Sequence, residues 1–373
     1  MRNRLLAFGG AVATAVIIAQ IALVSVAGQT QAGAAPTPTA RPAAARPSAV
    51  PRMPDGKPDL QGTYDISTIT PFERPQGMSQ TITDAEAATR EKQTLSRREA
   101  ENRPSAGNRQ APPVGGDGTT GAYGNVGGYN GFWLDPGDTW ITINGERRAS
   151  IVVDPPDGRI PRLPASARRA AAPVLPTSDA GESVAPTGLG AYDNPEQRPL
   201  GERCILGFGS TSGPPTLPNG FYNNTKQIVQ TSDYVMILNE MVHDARIVRI
   251  GGKHPPSNIR SWMGDSIGHW EGDTLVVETT NFTDKTRYAG ATENMKVTER
   301  FSRLDDKRLL YRFTIEDPAV FARPWSGEVP WRPADGLLYE YACHEGNYAL
   351  GNILRGERLL EKEAADVAAQ QKK

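Results

Sequence analysis

Residues 296–316 read KVTERFSRLDDKRLLYRFTIE. Their reading decides the fold. Leu309, Tyr311, Phe313 and Ile315 alternate with Leu310, Arg312, Thr314 and Glu316, the period-two pattern of a strand with one buried face. Val297, Glu299 and Phe301 share a face in the segment before it. Asp305-Asp306 links the two, and so short a link joins antiparallel strands, because parallel ones need a long crossover. Working outward, residues 226–345 supply KQIVQ, DYVMILNE, DARIVRI, DSIGHW, DTLVVETT, MKVTERFSR, KRLLYRFTIE and LLYEYAC as strand candidates. Thr231-Ser232-Asp233 and Glu271-Gly272-Asp273 are further short links.

So many consecutive hairpins must manage their edges, and closure removes edges. The expected fold is all-β with peripheral helices: an antiparallel meander closed into a calycin- or lipocalin-like barrel. A β-sandwich is the alternative. Leu60-Gln61-Gly62-Thr63-Tyr64 resembles the Gly-x-Trp opening of lipocalins, with Tyr64 in the Trp place. No repeat of about forty residues recurs, which counts against a propeller.

Before this region, TWITI, RRASIVVD and RIPRL around the turn Pro155-Pro156-Asp157-Gly158 read as a shorter meander. Thr83-x-x-Glu86 is a capping box, and good helix formers run from it to about Arg103. Residues 52–346 therefore form one β-rich domain with loop and helix excursions at 71–135 and 163–203. Residues 104–131 read either as an ordered loop or as a lid. Residues 347–373 form a charged helical tail.

Arg2 and Arg4 precede an apolar stretch from Leu5 to Ala27, with Ser25 and Ala27 placed for cleavage. Residues 1–27 read as a signal peptide, the alternative being an uncleaved anchor. Residues 28–51, Ala/Pro-rich, read as a linker. The expected location is periplasmic or secreted. In such a compartment Cys204 and Cys343, the only two cysteines, are expected to pair. Their loop of more than a hundred residues makes the bridge worth about 4–5 kcal/mol by chain entropy.

The 41 basic and 42 acidic residues nearly cancel, to −1. Nothing in that balance points to nucleic acid, or to a membrane beyond an uncleaved N-terminal segment. With 38 Gly, 31 Pro and 38 % hydrophobic residues, only part of the chain can build the core.

PDGKPDLQGTYD, GGYNGFWLDPGDTW, SIVVDPPDGRIP, NEMVHDARIV, WMGDSIGHWEGDTLVVETTNFTDKT and YEYACHEGNY together resemble a large family of exported proteins of soil and marine bacteria. The resemblance spans about residues 52–355. It implies export and one continuous domain; no catalytic residue comes with it.

The chemistry-bearing candidates are few. In NEMVHDARIV, residues 239–248, a turn at His243-Asp244 would let His243 meet Glu240 as an acid–base pair; otherwise His243 is a hairpin-end residue bonded to its neighbours. His344 with Glu345 beside Cys343 is a second acid–base candidate, held on a rigid backbone. Arg246, Glu299, Arg300, Tyr311, Trp262 and Trp325 are candidate ligand-binding residues. Glu299 on an apolar face needs an Arg partner, either Arg246 or Arg312, and a buried structural ion pair is the alternative role. His254 is expected to be exposed. No His-x-His or His-x-x-x-His spacing occurs, so no metal is expected, nor any cofactor.

The leading expectation is a barrel binding a small, largely apolar organic ligand. An acid–base enzyme (hydrolase, isomerase or lyase) using His243 or His344 comes second, and a structural envelope protein third.

Overall fold

The structure is a computed structural model and describes residues 50–101, 135–167, 192–207, 213–219, 222–284 and 288–371. The expected signal segment, nearly all of the linker, the 104–131 loop and much of the second excursion lie outside the described residues. Within them the chain forms β1 (Gly62–Asp65), β2 (Thr81–Ile82), α1 (Asp84–Glu101), β3 (Thr142–Ile143), β4 (Glu146–Arg148), β5 (Val152–Asp154), β6 (Thr225–Gln230), β7 (Tyr234–Asn239), β8 (Ala245–Ile250), β9 (Asp265–Glu271), β10 (Thr274–Thr280), β11 (Lys296–Arg303), β12 (Leu309–Glu316), β13 (Trp325–Pro333) and α2 (Tyr348–Gln371).

β1 and β6 through β13 pair in sequence, and β13 pairs back onto β1 at Tyr64↔Pro333 and Asp65↔Arg332. The sheet is thus a closed barrel of nine strands, as the edge argument requires. An odd ring cannot alternate direction all the way round; one neighbouring pair must run parallel. That pair is β8–β9, and residues 251–264 make the crossover it needs. β5 adds to β13 outside the ring. β2, β4 and β3 make a separate small sheet. α1 begins at the expected capping box, with Glu86 bonding back to Thr83 N and Thr83 Oγ1 bonded by Glu86 N.

The 296–316 hairpin keeps its register throughout, from Lys296↔Glu316 to Arg303↔Leu309. Its alternate residues Phe301, Tyr311, Phe313 and Ile315 are buried inside the barrel with Tyr64, Trp325 and Trp331. The rings interlock: Tyr311 and Phe301 each lie 5.4 Å from Trp331, and Phe313 lies 5.7 Å from Trp325, edge to face. Gly327 makes room for this, since a Cβ there would sit 2.4 Å from Phe313 Cζ. Side chains, not an apolar chamber, occupy this part of the interior.

Two elements depart from the sequence reading. β13 was not among the strand candidates. Its Pro330 gives no N–H to a ladder, yet it sits where β13 has left β5 (Ser326, Gly327) and not yet met β1 (Arg332, Pro333). A proline is tolerated at such an unpaired edge. Conversely LLYEYAC, 337–343, is not a strand. It runs as an exposed strap, with Leu337 78 % and Tyr339 68 % accessible. α2 also stays outside the core, with no buried residue. Among the described residues no helix is long and apolar enough to cross a membrane.

Cys204 and Cys343 form the expected disulfide, with Cα atoms 5.8 Å apart. A bridge built into the fold fits an oxidising compartment.

Candidate functional site

Glu299 on β11 and Arg246 on β8 both point into the barrel, and they meet there. The guanidinium holds the carboxylate at both oxygens, the Arg246 Nη2–Glu299 Oε1 contact being 2.9 Å. Tyr311 Oη donates to the same Oε1 at 2.8 Å and accepts from Thr216 N at 2.8 Å. Thr216 belongs to the buried segment 214–217. Burial first, then the Glu299 charge, pushes the Tyr311 hydroxyl well above its ordinary value. The structure therefore brings three of the six candidate ligand-binding residues together, with Arg246 and not Arg312 as the partner. Arg312 instead faces outward to Glu328.

The other three do not join them. Arg300 points outward and bonds Glu271 at 2.6 Å. Trp325 is core, packed by Phe72, Phe313 and Phe321. Trp262 is half-buried and lines a cavity of about 230 Å³ that also touches Arg246.

His243 and Glu240 flank a strained turn after β7, where Val242 (φ 59°) and His243 (φ 45°) are both left-handed. A β-branched residue there is an outlier. The two side chains do not bond each other. His243 Nδ1 lies 3.3 Å from Tyr341 O, and Glu240 Oε1 accepts from Tyr339 N at 3.4 Å. Each is thus engaged by the strap. His344 and Glu345 are exposed. His254, expected in solvent, is instead wedged between carboxylates: its Nδ1 is 2.6 Å from Asp265 and its Nε2 3.5 Å from Glu278. Burial raises the Asp265 carboxyl, but hydrogen bonds from Arg249 and His254 outweigh it and hold it low. Among the described residues no group of three or more His, Cys, Asp or Glu is placed to hold a metal ion.

A cleft of about 630 Å³ opens between outward-facing Asp65 and Thr225, the turn after β7 and the strap. Four carboxylates line it: Asp65, Asp135, Glu240 and Asp335. Tyr222, Tyr339 and Tyr341 supply aromatic surface. Burial first, then the Asp65 charge, raises the Asp135 carboxyl. Sequence reading missed this cleft except for Glu240.

Behind Glu240, Lys226 faces the barrel interior and is fully buried. The alternation Lys226, Ile228, Gln230 in KQIVQ was a readable signal of that orientation. Burial lowers its amine to about 8, against the opposing pull of Glu240 and Asp244. The unfolded chain keeps this proton up to about 10.5, so between the two values the unfolded state holds more protons and rising pH favours the fold. Stability should therefore climb from pH 8 towards pH 10, above which the buried tyrosines pull the other way. The shift amounts to about 3 kcal/mol of cost at neutral pH. Lys226→Met is expected to raise the urea midpoint at pH 7 and to flatten the alkaline rise. An unchanged rise in the variant would assign it to another group.

Comparison with known protein families, with curated proteins and with solved structures finds no match for this chain.

Proposed function

We propose that this chain is a periplasmic or secreted binding protein that takes a small organic cation in the cleft beside the strap. The carrying observation is the cavity lined by four carboxylates; burial and the Asp65 charge, which raise the Asp135 carboxyl, support it. Arg332 already holds Asp65 and the Lys226 amine interacts with Glu240, which leaves Asp135 as the acid whose charge a cation would compensate. Tyrosine rings add a surface that favours ammonium and guanidinium groups. The volume lies in the range of small-molecule pockets. The interior is taken up by aromatic rings and the Arg246–Glu299 pair, so the ligand moves from the chamber expected in the sequence to the outer wall. The acid–base reading gains no support from His243 and Glu240, which bond the strap rather than each other.

Calorimetry with choline, arginine and spermidine tests this against neutral isosteres. Cation binding should release protons in the acidic range where Asp135 titrates, because the ligand favours the ionised carboxylate. Asp135→Asn should weaken binding about tenfold or more, the loss of one charge-assisted contact of about 1.5–3 kcal/mol. Equal affinity for cations and neutral isosteres would defeat the proposal.

A further inference from the structure

A second cavity, of about 220 Å³, lies where β13 changes partner from β5 to β1. Val329 and Pro330 of that unpaired stretch form one wall, and residues 66–68 and 139–142 face it. Its character is opposite to the cleft. Three arginines line it, Arg147, Arg308 and Arg332, and no Asp or Glu does. Ser67, Thr68, Thr139 and Thr142 complete the polar lining.

The arginines are held in place by acids that lie outside the lining. Asp84 and Glu91 hold Arg147. Asp305 takes the Nε of Arg308, and Asp65 takes one terminal nitrogen of Arg332. Trp140 adds an independent sign. It lines the cavity, it is 5 % exposed, and its indole N–H is buried without an acceptor. A buried donor without a partner is costly, and native structures rarely leave one unmet. The Arg90 guanidinium stands 5.6 Å from the same ring. Within the lining itself Arg332 bonds Thr139 Oγ1 at 2.7 Å and Ser67 O at 2.9 Å, which fixes its guanidinium at the cavity wall.

From this we infer that the cavity is a binding site for a small oxyanion: phosphate, sulfate or a short carboxylate. Guanidinium forks match the oxygens of such groups, and the Trp140 N–H supplies a further donor. The volume suits a free anion or the anionic end of a small molecule.

Thermal shift and tryptophan fluorescence with inorganic phosphate, sulfate and citrate, each against chloride at equal ionic strength, test the site on the full chain. Binding of one or more oxyanions is expected, with saturation. Arg308→Gln, at a half-buried position, should weaken it about tenfold or more. Trp140→Phe keeps the ring, removes the N–H, and should weaken it as well. Arg300→Gln, an outward arginine away from the cavity, should leave affinity unchanged. Citrate alone binding would assign a carboxylate ligand; phosphate or sulfate binding would assign a tetrahedral one. No saturable effect beyond chloride, or equal loss in Arg300→Gln and Arg308→Gln, would overturn the assignment.

Discussion

Glu299→Leu is expected to cost the fold about 3–5 kcal/mol, the penalty for stranding one partner of a buried ion pair. The carboxylate is fully buried and Arg246 is only 4 % exposed. Without Glu299 the guanidinium keeps only the hydroxyls of Thr216 and Thr279, both at 3.4 Å. Its Nε has no partner even in the intact protein. Tyr311 loses its acceptor at the same time. The double variant Arg246→Met, Glu299→Leu should recover most of the loss, since matched apolar groups often replace a buried pair at little cost. Urea denaturation of the single and double variants measures this as a coupling energy. Additive losses would mean that the two residues do not act as a pair. The double variant also separates scaffold from site: cation binding in the cleft should survive in it, because neither residue lines the cleft.

Why this pair was legible in the sequence, and the cleft was not, has a physical answer. A strand with one buried face writes its orientation in every second residue. Glu299 between Val297 and Phe301 had to point inward, and a buried carboxylate needs a cation. Arg246 met the same test on β8. The cleft is assembled on outward faces, from Asp65, Asp135, residues 222–225, the turn after β7 and residues 334–341. Outward positions carry no period that distinguishes a wall of a cavity from ordinary wet surface. The strap shows the converse error. LLYEYAC has strand-forming residues in an alternating order, but propensity is only a weak prior. The barrel was already closed by β13 onto β1, so no edge was left for the strap to join. β13 itself was hidden by its prolines: Pro330 is compatible with a strand because its edge lies open between β5 and β1, and Pro333 is the strand's last residue.

Removing the disulfide, as Cys204→Ser with Cys343→Ser, is expected to lower global stability by about 5 kcal/mol, the chain-entropy value for a loop of this length. The sequence separation is 139 residues, so the released denatured chain gains much freedom. That loss is comparable with the whole stability of a marginal domain. A second, local effect should appear while the barrel is still folded. Among the strap's anchors are Ala334 N to Thr63 O at 3.0 Å, the 3.4 Å bond of Tyr339 N to Glu240, and the 3.3 Å contact of His243 with Tyr341 O. Its Leu337 and Tyr339 side chains bury little surface. Asn347 does hold Glu202 O at 2.7 Å, but that residue lies past Cys343, beside the bridge itself. Weakly held, exposed segments open at low free energy, and proteases find them first. Chymotrypsin should therefore cut the double-serine variant at Leu337, Tyr339 or Tyr341 well below its unfolding midpoint, releasing α2. The oxidised parent should resist, and any cut should leave α2 attached through the bridge until reductant is added. Cation affinity in the variant should fall together with strap protection, because Tyr339 and Tyr341 form part of the cleft. Cutting and affinity unchanged by the substitutions would show that the barrel wall alone holds the strap.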